Sequence, residues 1–249
     1  MQKQVRPLLD VVVVISVFAV VQSIFGVGLL VFGTPTLLLL GHPFNETLGA
    51  LLPASIAISL LQLRGARLPD RIFLRQFGAW CLVPLAIALA LVLRSGVSVN
   101  LNLAVAAALA VFAVVRTSAR VRKRAAPWVS RHTRAWLTLT GLVHGFSNLG
   151  GGPLLILAAS RYRQKEAMRP FIALCYASFA AIQLGVLAFL IPAVFGWHQL
   201  VNASVSASVF LFAGQRFFGW VPAQRFELLL TVLVAAYAAI LGLRGFGVI

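Results

Sequence analysis

Residues 141–160 read GLVHGFSNLGGGPLLILAAS. Gly150, Gly151 and Gly152 stand in a row inside an apolar run and are followed by Pro153. Glycine weakens a helix by about 1 kcal/mol per residue and proline lacks a donor N–H, so the sequence predicts a helix break here. Apolar sequence lies on both sides, which puts the break at membrane depth. Backbone groups released there cannot face lipid; they must be buried in protein or line a watery cavity. The stretch therefore reads two ways, as a binding site or as a small-residue face on which helices pack closely.

The rest of the chain fits a membrane setting. Of 249 residues, 61% are hydrophobic and 10% charged, against about 25% charged in a soluble domain. Mean hydropathy is +0.97. The apolar runs are near 20 residues long, which excludes the short alternating strands of a barrel. A formal charge of +16 suggests nucleic acid, but the basic residues lie almost wholly between apolar runs, as cytoplasmic loops require. No soluble surface is left to carry a nucleic-acid patch. Cys81 and Cys175 lie within apolar runs and read as core residues, and His42, His132, His144 and His198 show no ligand spacing. Residues 8–24 read as a retained membrane segment and not a signal peptide, because Asp10 breaks the basic-then-apolar order.

In chain order, 8–25 form an apolar helix that ends at Gly26-Val27-Gly28. A short piece, 29–40, is expected to be interrupted at Gly33-Thr34-Pro35. Asn45 is the expected N-cap of a helix over 46–63. Helices follow over 72–93, with a kink expected at Pro84, and over 99–115. Residues 116–134 hold seven basic side chains and mark the midpoint. The second half offers a helix over 135–147, the GGGP break, a short piece to Ala159, and helices over 168–192, 198–214 and 226–243.

The halves correspond. Gly28 matches Gly150 at an offset of 122, and Asn45-Glu46-Thr47 matches Lys165-Glu166-Ala167 at 120. Ser55 and Ser178 lie 123 apart. Matched interrupted segments in two halves point to a transporter binding site. The expected fold is an all-α integral membrane protein in one membrane domain, 1–249. Repeat one covers 8–116, a basic cytoplasmic loop 117–134, and repeat two 135–245. Each repeat of about 120 residues holds a broken, re-entrant Gly-rich hairpin and three transmembrane helices. If both hairpins are re-entrant, 17 of the 21 basic residues fall on the cytoplasmic side and the repeats are inverted. Eight simple spans are the alternative, but they put the basic loop 161–169 outside.

The Gly-rich run followed by an apolar stretch and a proline, present in two halves, resembles the TauE/SafE family of membrane permeases. Gly26, Gly28 and Pro35 carry the resemblance in the first half, where Leu29 and Leu30 replace glycines. Gly150, Gly151 and Gly152 carry it in the second, where Asn148 replaces the first glycine and Leu157 the proline. Gly214-Gln215-Arg216 through Pro222 and Arg225 also looks like the family. The resemblance implies export of sulfite, sulfoacetate or related organosulfonates across the bacterial cytoplasmic (inner) membrane by a multi-pass protein.

Physical chemistry gives the breaks the same role. N–H groups at a Gly-rich turn, opening on a half-helix N-terminus, make a concave donor site for an anion. Neither break contains Lys or Arg, which favours release. The candidate substrate-binding residues are Gln22, Gly26, Gly28, Thr34, Pro35, Ser55, His144, Ser147, Asn148, Gly150, Gly151, Gly152 and Ser178. The bland counterpart makes His144, Ser147 and Asn148 buried interhelical hydrogen-bonders, and Ser55 and Ser178 packing residues. Arg216 and Arg225 read as cytoplasmic surface residues.

The chain has five carboxylates, Asp10, Glu46, Asp70, Glu166 and Glu227, with no two close together on an apolar helix. Neither a metal site nor a paired-acid enzyme is expected, and no cofactor. The expected partners are a small anionic substrate and the lipid bilayer, with a homodimer compatible and nucleic acid excluded. Two other functions compete: a same-architecture transporter of another anion or a metal cation, and a non-transporting membrane enzyme or assembly factor.

Overall fold

The structure is a computed structural model that describes residues 2–66, 68–95, 110, 127–162, 164–214, 216–217, 232, 235–240 and 242–243. The described residues are helical, with no strand among them. All but residue 110 of the expected helix over 99–115, most of the basic loop 116–134 and of 214–225, and half of 226–243 lie outside the described residues. Three described helices are long and apolar enough to cross a membrane: Phe44–Gln62, Arg71–Arg94 and Glu166–Leu190. At ~1.5 Å per residue the second reaches about 36 Å, more than the ~30 Å of a hydrocarbon core. Its exposed Val83, Ile87 and Leu91 recur every fourth residue and form one apolar stripe suited to lipid.

The chain divides into two compact units, one of residues 1–67 and 173–220 and one of 68–172 and 221–249. The first unit opens with α1 (Gln2–Phe25), α2 (Leu29–Leu39) and α3 (Phe44–Gln62). Phe18 of α1 stacks on Phe32 of α2, centroids 5.8 Å apart. α2 is continuous, which corrects the expected interruption at Gly33-Thr34-Pro35. Pro35 removes one hydrogen bond from a helix whose residues 29–35 are all buried, and burial outweighs that loss. Gly33 lies against Leu51 of α3, where a Cβ would stand 3.1 Å from Leu51 Cδ1. α3 begins two residues earlier than expected. Pro43, at φ −61° and ψ 150°, is its N-cap, so Asn45 is inside the first turn and not the cap.

The first unit is completed by the part of α8 (Lys165–Leu190) from Ala173 onward, a 3-10 turn at Pro192–Val194, α9 (His198–Val209) and a π turn at Phe210–Gly214. α9 is tied to α3 by two bonds one turn apart. Asn202 Nδ2 donates to the Ala50 carbonyl at 3.3 Å, and Ser206 Oγ to that of Ala54 at 3.0 Å. Gly49 allows the approach of the 3-10 turn: a Cβ there would collide with Val194.

The second unit contains α4 (Arg71–Phe77), a π turn at Gly78–Leu82, α5 (Val83–Arg94), α6 (Thr133–Ser147), α7 (Gly151–Arg161) and α8 (Lys165–Leu190) as far as Ile172. Asp70 caps α4 by accepting from Phe73 N at 2.7 Å. The distortion expected at Pro84 is the π turn just before it. Pro84 cannot donate to the carbonyl one turn back, and its ring crowds that carbonyl, so a widened turn accommodates both effects. α6 lies close against this region. A Cβ on Gly141 would collide with the Cys81 carbonyl, and one on Gly145 would stand 2.5 Å from that of Leu85. These glycines, four apart, are a small-xxx-small face that brings backbones together. Arg161 of α7 stacks on Phe73 of α4, 4.6 Å from the ring centre.

Candidate functional site at the two helix breaks

The two breaks share a local construction. α1 ends as Gly26 takes φ 74°, with Gly26 N donating to Gln22 O at 2.8 Å. α6 ends as Asn148 takes φ 61°, with Asn148 N donating to His144 O at 2.8 Å. The left-handed region suits glycine, and asparagine better than most other residues. Asn148 therefore meets the same backbone demand as Gly26. Gly28 and Gly150 then each precede a helix of 11 residues. At ~1.5 Å per residue such a helix covers about 16 Å and cannot cross a bilayer core alone.

The second break is held by side chains on both sides of it. His144 is fully buried, and its Nδ1 accepts from Gly150 N at 3.0 Å. In a neutral imidazole that places the ring proton on Nε2. Ser147 Oγ donates to Val143 O at 2.7 Å and accepts from Leu149 N at 3.3 Å. Trp136 reaches across the break, its indole N–H donating to Pro153 O at 2.9 Å. The N–H groups of Asn148, Leu149 and Gly150 are thus already engaged. An α-helix leaves its first-turn donors without intrahelical acceptors. In α7 these fall on Gly151 and Gly152, since Pro153 has no N–H and Leu154 N reaches Gly150 O. Asn148 is buried beside them. The structure thus brings His144, Ser147, Asn148, Gly150, Gly151 and Gly152 together.

The first break sits on a buried polar network between α1 and α3. Gln22 Nε2 lies 3.2 Å from Ser55 Oγ, 3.3 Å from Ser59 Oγ and 3.3 Å from Ser55 O. Gln62 Nε2 donates to Gln22 O at 2.8 Å and Ser23 O at 3.3 Å, satisfying carbonyls at the C-terminus of α1. Gly28 packs on the preceding turn: a Cβ there would stand 2.6 Å from Gln22 N. Gln22, Gly26, Gly28 and Ser55 are thus one neighbourhood, while Thr34 and Pro35 are buried within α2. Ser178, on α8, instead donates back to Leu174 O at 2.9 Å within its own helix. Ser59, Gln62 and Trp136 were missed from sequence. Ser59 is one turn after Ser55 and carried a signal; Gln62 and Trp136 act at separations of 40 and 17 residues and carried none.

Replacing Gln22 by Leu strands the Gln22 partners in a dry interior. Leaving buried polar groups without partners costs about 1–3 kcal/mol. The expected result is a lower melting temperature in detergent, while Ser59→Ala, which removes one weak contact, shifts it by much less.

Among the described residues no group of three His, Cys, Asp or Glu is placed to hold a metal ion. No curated protein and no solved structure matches the chain. The family model described as "Sulfite exporter TauE/SafE" matches residues 11–241, nearly the whole length. Its helices and its composition make the chain a multi-pass membrane protein, and it belongs to the TauE/SafE sulfite exporter family, a family of transporters and not of enzymes.

Proposed function

We propose that this chain is a secondary transporter, working as an exporter, of small sulfur-containing anions such as sulfite or organosulfonates in a bacterial cytoplasmic membrane. The observation that carries the reading is the second break. A buried α-helix N-terminus, α7, begins at Gly151-Gly152, flanked by the buried Asn148 amide and with no Lys or Arg in the break. Sulfite and sulfonate oxygens are acceptors that suit paired backbone N–H groups. The helix dipole adds attraction of up to about 2 kcal/mol in a partly buried setting, enough to bind and weak enough to release. A monovalent anion leaving an interior-negative cell gains about 2.3 kcal/mol per 100 mV, which favours export.

The reading includes an inverted repeat of 8–116 and 135–245 in one membrane domain, each break a re-entrant hairpin. Its support is the shared offset of 122 between Gln22 and His144, Gly26 and Asn148, and Gly28 and Gly150. The two positive-φ residues and the two 11-residue helices that follow them are further support. In this reading Gly150 and His144 shape the site, Gly151, Gly152 and Asn148 contact the anion, and Gln22, Ser55 and Thr34 serve the first break.

A thermal-shift panel on detergent-purified protein tests it. Sulfite and sulfoacetate are expected to raise apparent stability, by RT ln(1 + [L]/Kd), in the parent protein and not in Gly151→Leu. Stabilisation by carboxylates or divalent metals alone would remove the sulfur assignment and leave a transporter of another substrate.

A further inference from the structure

The first unit holds a cavity that has no part in the anion reading. It measures about 530 Å3 and lies between α1, the first turn of α3, the 3-10 turn and the start of α9. Its volume falls within the ~300–1,000 Å3 of small-molecule sites and far exceeds what a bare monovalent ion fills. The walls are divided. Val11 and Ile191 are apolar; Asn45, Glu46 and Asn202 are polar, joined by His42 and His198.

The polar side is acceptor-rich. Asn202 is buried, 1% exposed. Its Nδ2 donates to the Ala50 carbonyl, which fixes the orientation of the amide, because an oxygen facing that carbonyl would be repelled. Asn202 Oδ1 is then a buried acceptor with no partner. Such a group is costly to leave unsatisfied, and so points to a donor. Glu46 adds a carboxylate, and no Lys or Arg is among the described residues that line the cavity.

Two helix N-termini border the cavity, which at first sight favours an anion. Partial engagement of the donors at one end and the Glu46 charge at the other weigh against it. At α9 two of the first-turn donors are already engaged, Gln199 N with Gly196 O at 3.3 Å and Leu200 N with Trp197 O at 3.1 Å, and just before the helix Gly196 N meets Gln199 Oε1 at 3.2 Å. At α3 the first turn carries Glu46 itself, whose charge meets the helix end.

We propose that this cavity binds a protonated primary amine, with the ammonium group at Glu46 and Asn202 and a short carbon chain along Val11 and Ile191. The ammonium can come from a soluble alkylamine or from the ethanolamine headgroup of a bilayer lipid. The inference does not rest on the sulfur-anion reading. Ethanolamine carries no acid group and sulfoacetate no amine, so the two readings fail separately.

The test uses the full chain in nanodiscs of phosphatidylcholine, followed by thermal unfolding with millimolar ethylamine or ethanolamine. Ethylene glycol and acetate serve as neutral and anionic counterparts. The amines are expected to raise the melting temperature and the counterparts not to. Glu46→Gln removes the charge partner and is expected to raise the half-saturating amine concentration roughly tenfold or more. Ala193→Trp, an exposed lining residue on the 3-10 turn, fills the cavity and is expected to abolish the response even if Glu46→Gln fails to fold. Discs containing phosphatidylethanolamine identify the source. A higher starting melting temperature and a smaller response to free amine indicate the lipid; an unchanged response indicates a soluble amine. An equal effect of ethylene glycol or acetate, no response to amines, or an amine response intact in Ala193→Trp overturns the proposal.

Discussion

Gly150→Leu is expected to abolish transport and to lower stability by about 3 kcal/mol. The backbone at Gly150, φ −61°, accepts any residue, so the effect is steric and not conformational. A Cβ would stand 2.6 Å from His144 Cβ and 2.9 Å from His144 Nδ1. His144 is fully buried and cannot swing into solvent. It must give up the bond from Gly150 N, which leaves that N–H buried without its acceptor at about 1–3 kcal/mol. Overpacking adds a term of similar size. A double-mutant cycle with Gly150→Ala and His144→Gly, which removes the His144 Cβ as well as the ring, separates the parts. If the clash dominates, the double variant is more stable than the sum of the single changes predicts. Simple additivity in urea or thermal unfolding would mean the two residues do not oppose each other.

Gly141→Leu is expected to have the larger effect on folding. There the obstacle is the Cys81 carbonyl, a backbone atom in the π turn. A side chain can change rotamer, but a carbonyl held in a helix cannot, so α6 must move off α4 and α5 as a whole. Gly145, one turn further on, binds the same helix pair against Leu85 and Ala88, so the displacement would break both contacts. The expected cost exceeds the usual range of ~1–3 kcal/mol for overpacking. The readout is the yield of monodisperse protein on size exclusion after detergent extraction. A Gly141→Leu protein that elutes and melts like the parent would show that α6 does not pack where the structure places it.

The class of the protein and the place of its second break were legible because they depend on local chemistry. Apolar runs near 20 residues report a bilayer, and Asn148 to Pro153 carries its own reasons to end one helix and start another. The helix over 72–93 was likewise legible, and is observed at Arg71–Arg94. The continuity of α2 was not, because Pro35 is a local signal that burial against α1 and α3 overrides. Asn45 misled for the reverse reason. It has the composition of a cap, but Pro43 fixes the extended backbone two residues earlier and starts the helix first.

At the site, the residue types were legible and their bonding was not. His144 and Gly150 are six apart in sequence, and only the turn at Asn148 brings imidazole and N–H within 3.0 Å. That bond moves the expected donors from Gly150 to Gly151 and Gly152. Ser55 and Ser178 looked equivalent by spacing, yet one joins Gln22 and the other bonds within its own helix. The difference lies in what each helix faces, which spacing does not encode.

The most direct measurement is counterflow in proteoliposomes loaded with unlabelled sulfite and exposed to labelled sulfite outside. Three proteins are needed: the parent, Asn148→Gly and Gly151→Leu. Asn148→Gly keeps the left-handed turn and removes only the amide, so it isolates chemistry from folding. The account predicts label uptake by the parent well above protein-free vesicles, roughly tenfold less with Asn148→Gly, as fits loss of one hydrogen bond to a charged group, and none with Gly151→Leu. Parent uptake no faster than empty vesicles, or uptake that survives Gly151→Leu, would contradict the assignment of the anion to the second helix break.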